Sequence, residues 1–175
     1  MSQPAPDFEK LFSVLSQNGI EFVVIGGLAG IFHGHSRVTY DIDVCYARTP
    51  ENLEALSRVL KSIGTKLRVA QKNQDVVLPF KPDARALSNG LNFTFRTDLG
   101  DFDILGEVPG VGFYDACFAD SVHGKVAGID VRVLSLDKLI NAKRAAGRPK
   151  DLGDLAALEK LKQMLSKQKG ENRTS

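Results

Sequence analysis

The chain has 175 residues, a length that suits one domain with a real core and is short for two large lobes. Hydrophobic residues make up 43% and charged residues 25%, ordinary for a soluble globular protein, and no stretch approaches the roughly 20 apolar residues of a membrane span. A formal net charge of +2 is too small to argue for nucleic acid by itself, and the two cysteines, Cys45 and Cys117, make neither a disulfide framework nor a metal-ligand spacing.

Residues 7–17 place Phe8, Leu11, Phe12 and Leu15 at helical spacing, and Asn18-Gly19 stops them. Residues 20–25 read as a buried strand running into Gly26-Gly27. LAGIFHGH follows as a short helix or helical turn, and 41–46 as a second strand. Thr49-Pro50-Glu51 opens a helix with Leu53, Leu56, Val59, Leu60 and Ile63 on one face and Gly64 as its stop. Short strands are expected near 66–70 and 75–78, then a loop through KPDARALSNG. The alternation of Leu91, Phe93 and Phe95 marks a strand, which Asp98-Leu99-Gly100 turns into another over 101–105. A strand pair is expected over 121–134, turning at Gly124 or Gly128. Ser135 then caps a helix, Arg148-Pro149 interrupts it, and a last helix spans about 150–168. Strands mixed with flanking helices predict an α/β or α+β sheet domain. The expected layout is a single domain over 1–175: a core over about 20–135, C-terminal helices over about 135–168, and a disordered tail from about 169. The N-terminus lacks a basic segment followed by an apolar one, so a cytoplasmic location is expected.

The alternating acids carry most of the chemical information. In Asp41-Ile42-Asp43 and Asp101-Phe102-Asp103 both carboxylates of each triplet leave one side of a strand. Two like charges about 4 Å apart repel by roughly 4 kcal/mol at an effective dielectric near 20. A fold that gathers them is therefore expected to hold a divalent cation, whose hard charge selects carboxylate oxygens and substrate phosphates. Periodicity does not choose between Asp101 and Asp103. Asp103 is favoured as the third ligand because it lies deeper in its strand. Gly26 and Gly27 let backbone N–H groups approach an anion at a helix start. Arg37 and Thr39, just upstream of Asp41, are within reach of phosphate oxygens, although Arg37 also reads as a structural partner of these acids. Lys143 falls on the core-facing stripe of its helix, with Leu136, Leu139 and Ile140, so it either snorkels to solvent or enters a polar cleft. Arg148, Lys150 and Asp151 follow at a helix junction, where Asp151 also reads as a helix cap. His33 and His35 read as surface or packing residues. VVIGGLAG superficially resembles a dinucleotide-binding loop, but its glycines are not spaced G-x-G-x-x-G, and the acids begin their strand rather than end it.

Together, GGLAGIFHGHSRVTYDID, the later DFD and KRAAGRPKDLGDL resemble the nucleotidyltransferase superfamily related to DNA polymerase beta. Gly26-Gly27, thirteen intervening residues and Asp41-Ile42-Asp43 match its pattern at the long end of the spacer range. The 143–151 segment is similar to that of small bacterial members, including AbiEii-type toxins of toxin–antitoxin systems. The resemblance implies a nucleotidyltransferase fold and transfer of a nucleoside monophosphate from an NTP to an acceptor hydroxyl, with pyrophosphate released. It further implies two Mg2+ ions, or Mn2+ in their place, held by Asp41, Asp43 and Asp103, with Lys143 as a catalytic cation. Gly26, Gly27, Arg37, Thr39, Arg148 and Asp151 would bind substrate. The implied acceptor is an RNA such as tRNA, a protein or a small molecule, with a cognate toxin or antitoxin protein as a further partner and no membrane. A non-catalytic nucleotide-binding or toxin–antitoxin partner module on the same fold is the alternative.

Overall fold

A computed structural model describes residues 5–71 and 74–171. Helix α1 (Phe8–Gln17) is capped by the Asp7 carboxylate, which accepts from the Lys10 N–H, and it buries Leu11, Phe12 and Leu15. Strand β1 (Phe22–Val24) leads into α2 (Gly26–Phe32), and β2 (Asp41–Tyr46) into α3 (Pro50–Ser62). Thr49 caps α3 and Pro50 occupies its first turn, as the Thr-Pro-Glu signal predicts. The middle of the chain forms β3 (Lys66–Gln71), β4 (Gln74–Pro79), α4 (Ala84–Asn89), β5 (Asn92–Thr97) and β6 (Gly100–Leu105). Two short strands, β7 (Glu107–Val108) and β8 (Gly112–Phe113), pair with each other in a separate two-stranded sheet. Helix α5 (Tyr114–Ala119), the hairpin β9 (Ser121–Val126) and β10 (Ile129–Leu134), and the helices α6 (Leu136–Ala146) and α7 (Pro149–Glu171) complete it.

Eight strands form one mixed sheet in the order β4-β3-β5-β6-β2-β1-β10-β9. β2 lies parallel to β6 and β1 parallel to β10; the other neighbouring strands are antiparallel. Helices flank this sheet, so the fold is mixed α/β, as the alternation of strand and helix patterns predicts. Ile42, Val44, Phe102 and Ile104 are buried on one face at its centre and join α1 and α3 in the core. On the other face Cys45 is covered by Cys117 of α5, and both thiols are free and buried. Asn52, on the first turn of α3, ties β1 to the end of β2. Its Oδ1 accepts from the Glu21 N–H at 2.8 Å, and its Nδ2 donates to the Ala47 and Glu21 carbonyls at 2.7 and 3.2 Å.

Some expectations change. Residues 84–89, expected as loop, form α4, because the Asp83 side chain accepts from the Ala86 N–H and starts a helix that Gly90 ends. Helix α5 falls where no element was expected. The 121–134 pair turns at Ala127-Gly128, where both residues have positive φ, and Gly124 is an ordinary strand residue with Phe32 packed against it. Helix α7 begins at Pro149 and runs to Glu171, so the part of the expected tail that is described, 169–171, is helical. The rest of that tail lies outside the described residues. Among the described residues no helix is long and apolar enough to cross a membrane.

The Asn52 network generates a stability prediction. Asn52→Ala costs about 2–3 kcal/mol, because it leaves the Glu21 N–H and the Ala47 carbonyl without their partner in a part-buried corner, while the Glu21 carbonyl keeps the Ala47 N–H. Urea unfolding should show this as a lower midpoint with unchanged m-value.

Candidate active site

The parallel register of β2 and β6 sets Asp41 opposite Asp101 and Asp43 opposite Asp103. Side chains at paired positions share a face, so four carboxylates project together from adjacent strands about 4.8 Å apart. Ile42 and Phe102, both fully buried, face the other way and anchor the two strands.

The four acids are not equivalent. Asp101 is gripped by Arg96, with Nε on Oδ1 at 2.8 Å and Nη2 on Oδ2 at 3.1 Å. Arg68, reaching across from β3, donates through Nη2 to both oxygens of Asp103 at 3.0 and 3.3 Å, and its Nη1 lies 3.4 Å from Asp101 Oδ2. Among the described residues, neither Asp41 nor Asp43 accepts a hydrogen bond or joins an ion pair through its carboxylate. Burial first, and then the Asp41 charge, push the Asp43 carboxyl above its usual range, against the pull of Lys143, Lys150 and Arg148. Burial and Asp43 push Asp103 up to about 7 despite Arg68. The donor set is thus two unpaired carboxylates side by side in a recess, the charge of Asp43 disfavoured there by burial, which fits a hard cation. As placed, no three His, Cys, Asp or Glu side chains among the described residues converge closely enough to hold a metal ion.

The glycine pair makes this recess. Gly26 has φ +63, and a Cβ there would fall on the Asp43 carboxylate. A Cβ at Gly27 would lie 2.7 Å from Thr39 Oγ1, so Thr39 packs against the turn and donates to the Asp41 carbonyl at 3.3 Å.

From the opposite side, α6 and α7 bring cations. Lys143 Nζ donates to Asp151 at 3.1 Å and Asp154 at 3.0 Å, so of the two expectations for this lysine the polar cleft holds. Arg148 Nε donates to Asp151 at 2.6 Å. Burial acts to raise Asp151, yet the hydrogen bonds from Arg148 and Lys143 outweigh it and hold this carboxyl below its usual range. Asp151 is therefore a buried ion-pair partner, and its carboxylate does not cap the helix that contains it. Gly26, Asp43, Lys143, Arg148 and Asp151 line one cavity of about 90 Å³, together with Leu105, Pro109 and Leu139.

The structure thus brings Gly26, Gly27, Asp41, Asp43, Asp103, Lys143, Arg148 and Asp151 into one neighbourhood. Arg37 does not join the four carboxylates: it pairs with Asp154, the acid that also accepts from Lys143 at 3.0 Å and that His35 Nε2 approaches at 3.5 Å. His33 Nε2 donates to the Leu134 carbonyl at 2.8 Å, so the two histidines serve separate structural contacts. Sequence reasoning missed Arg68, Arg96 and Asp154. For Asp154 a signal exists, since it follows Asp151 by three on a helix and shares its face. Arg68 and Arg96 carry none, because strand pairing had to be known first.

Solved structures resemble this one. The lincosamide antibiotic adenylyltransferase LnuA, in its lincomycin-bound crystal structure, matches with a TM-score of 0.55 at 12% identity, over 87% of this chain and 94% of that one. A candidate nucleotidyltransferase from Thermotoga maritima matches with a TM-score of 0.48 at 16% identity, over 90% and 89% of the two chains. An antigenic nucleotidyltransferase-like protein from Paracoccidioides brasiliensis gives 0.48 at 18%, over 86% and 72%. No family model matches the chain, and no curated protein matches it. The likeness to LnuA, with the mixed sheet and its flanking helices, defines the architecture as the nucleotidyltransferase fold.

Asp103 titrates higher in the folded protein than the ordinary carboxylate value of 3.8. Its contribution to stability is whole below 3.8 and is lost as pH rises through about 7. With a chelator present, Asp103→Asn should raise Tm at pH 8 by about 4 °C or more. The gain should shrink as pH is lowered through that window and vanish below it, as followed by thermal unfolding at several pH values.

Proposed function

We propose that this protein is a metal-dependent nucleotidyltransferase that moves a nucleoside monophosphate from an NTP to an acceptor hydroxyl. The observation that carries the reading is the unpaired Asp41–Asp43 couple, recessed beside Gly26 and facing the Lys143–Arg148 edge. A half-buried pair of like charges without partners is unfavourable unless a cation joins it. Asp41 and Asp43 would hold Mg2+ or Mn2+, with Asp103 as the third ligand for a second ion. When bound, such ions supply charge neutralisation at the attacking and leaving oxygens of an in-line displacement.

The chain's own groups have separate tasks in this reaction. The N–H groups at the start of α2, around Gly26 and Gly27, lack helical partners and bind phosphate oxygens. The acceptor oxygen forms a bond to the α-phosphorus as the bond to the β-phosphate oxygen breaks, and the hydroxyl proton passes to Asp103. Pyrophosphate leaves toward Lys143 and Arg148, whose charge offsets its own. Asp151 keeps those two cations in place. Thr39 supports the turn, and Arg37 acts through Asp154 rather than on the phosphates. Catalysis rests on positioning and electrostatics rather than on covalent participation by the protein.

The acceptor is an RNA such as tRNA, a protein or a small hydroxylated molecule. The likeness of the 143–151 segment to AbiEii-type toxins favours a role beside a cognate antitoxin. The grip of Arg68 on Asp103 favours a second reading, a nucleotide-binding module without catalysis.

Radiolabelled NTPs, each incubated with Mg2+ and total tRNA or lysate, separate the two readings. Transfer of label to a macromolecule is expected, falling about 10³-fold or below detection in Asp41→Ala and Asp43→Ala with the fold intact. NTP binding without transfer across a broad acceptor panel would instead establish the module.

A further inference from the structure

The charges on the acid face are divided unevenly between its two strands. On β6, Asp101 has the Arg96 fork, and Asp103 has both oxygens on Arg68 Nη2. On β2, Asp41 and Asp43 have no such partner among the described residues. A guanidinium nitrogen shared between both oxygens of a carboxylate occupies lone pairs that a magnesium-sized ion needs. Arg68 and a second cation therefore compete for Asp103.

The placement of Arg68 suits this competition. The β3–β5 ladder pairs Lys66 with Arg96 and Leu67 with Phe95. Arg68 is the next residue, beyond the last of these pairs, and Thr94 Oγ1 donates to its carbonyl. From that point its side chain passes over β5 to β6, leaving 16% of its surface exposed. Asp101 does not depend on Arg68, because Arg96 holds it through two nitrogens of its own. Removing Arg68 thus frees Asp103, whereas Asp101 loses only the 3.4 Å approach of Arg68 Nη1 and keeps Arg96. The absence of any three-carboxylate cage among the described residues agrees with this: the three acids share a face and a register, but Asp103 is committed to Arg68.

We propose that Arg68 is a latch on Asp103. In the metal-free protein it leaves one cation site, on Asp41 and Asp43, and the second ion binds only by displacing the guanidinium. Arg68 is a positioning residue in this scheme, since it acts through Asp103 and not on the nucleotide. The inference rests on the metal-dependent reading above and deepens it by ordering the arrival of the two ions.

Mn2+ binding followed by electron paramagnetic resonance tests the latch without relying on activity. The full chain is titrated with Mn2+ in the presence of an NTP whose α,β-bridging oxygen is replaced by methylene. Wild type is expected to show one tight ion and a second at least about tenfold weaker; in Arg68→Met the second ion tightens by about tenfold or more. Arg68→Lys, which keeps the charge and loses the guanidinium's simultaneous reach to Asp103 and Asp101, should fall between them, and it preserves the test should Arg68→Met not fold. In thermal unfolding with chelator, Arg68→Met should melt below wild type, with Mn2+ raising its Tm more than that of wild type. Two tight ions in wild type, or a second ion unchanged or weakened in both variants, overturns the latch and leaves nucleotidyl transfer standing. No Mn2+ bound by any of the three proteins overturns both.

Discussion

Repulsion among four carboxylates on one face of two parallel strands governs how the rest of this site is arranged. The register of β2 with β6 makes the crowding unavoidable, because alternate residues of both strands face the same way. The chain answers on two sides. Arg68 and Arg96 come from β3 and β5 and compensate Asp101 and Asp103. Lys143 and Lys150, from the C-terminal helices, and Arg148, from the junction between them, act at longer range on Asp43, insufficiently to restore its usual titration. What remains uncompensated is the Asp41–Asp43 pair, the part of the cluster where an exogenous cation is most favourable.

The C-terminal helices show how cations can be held near a site without being consumed by it. Lys143 lies between Asp151 and Asp154, and Arg148 is fastened to Asp151 as well. These acids are stabilised in their charged forms, so they orient the basic groups at neutral pH. Gly26 then removes the steric barrier between this edge and Asp43. In the proposed reaction the same edge receives the leaving phosphates, and the cavity there is bounded by both halves of the chain.

Much of this was legible from residue patterns alone. Helical spacing located α1, α3 and α6, and the alternation of apolar and acidic residues located β2 and β6 with the correct faces. The meeting of the two aspartate triplets followed from their pattern and a family likeness; the register itself came only with the sheet. Short helices were harder: α4 begins with an Asp cap inside a Pro- and Gly-bounded stretch that reads as loop, and α5 spans only Tyr114–Ala119. Arg68 was the costliest omission. Its strand lies two strands away from β6 in the sheet although more than thirty positions precede Asp103 in the chain, and local periodicity carries nothing about that neighbour. Arg37 illustrates the converse, since proximity in sequence to Asp41 did not bring it there, and Asp154 took it instead.

The central claim, that Asp41 and Asp43 together bind a divalent cation beside the α2 glycines and the Lys143 edge, is tested most directly by crystallography. Crystals grown with Mn2+ and a non-hydrolysable NTP can be measured at the manganese absorption edge. The account predicts an anomalous peak at ligand distance from both carboxylates, with the triphosphate running toward Lys143 and Arg148. Nucleotide bound elsewhere on the molecule, or a fully occupied site with no manganese between those two aspartates, would contradict it.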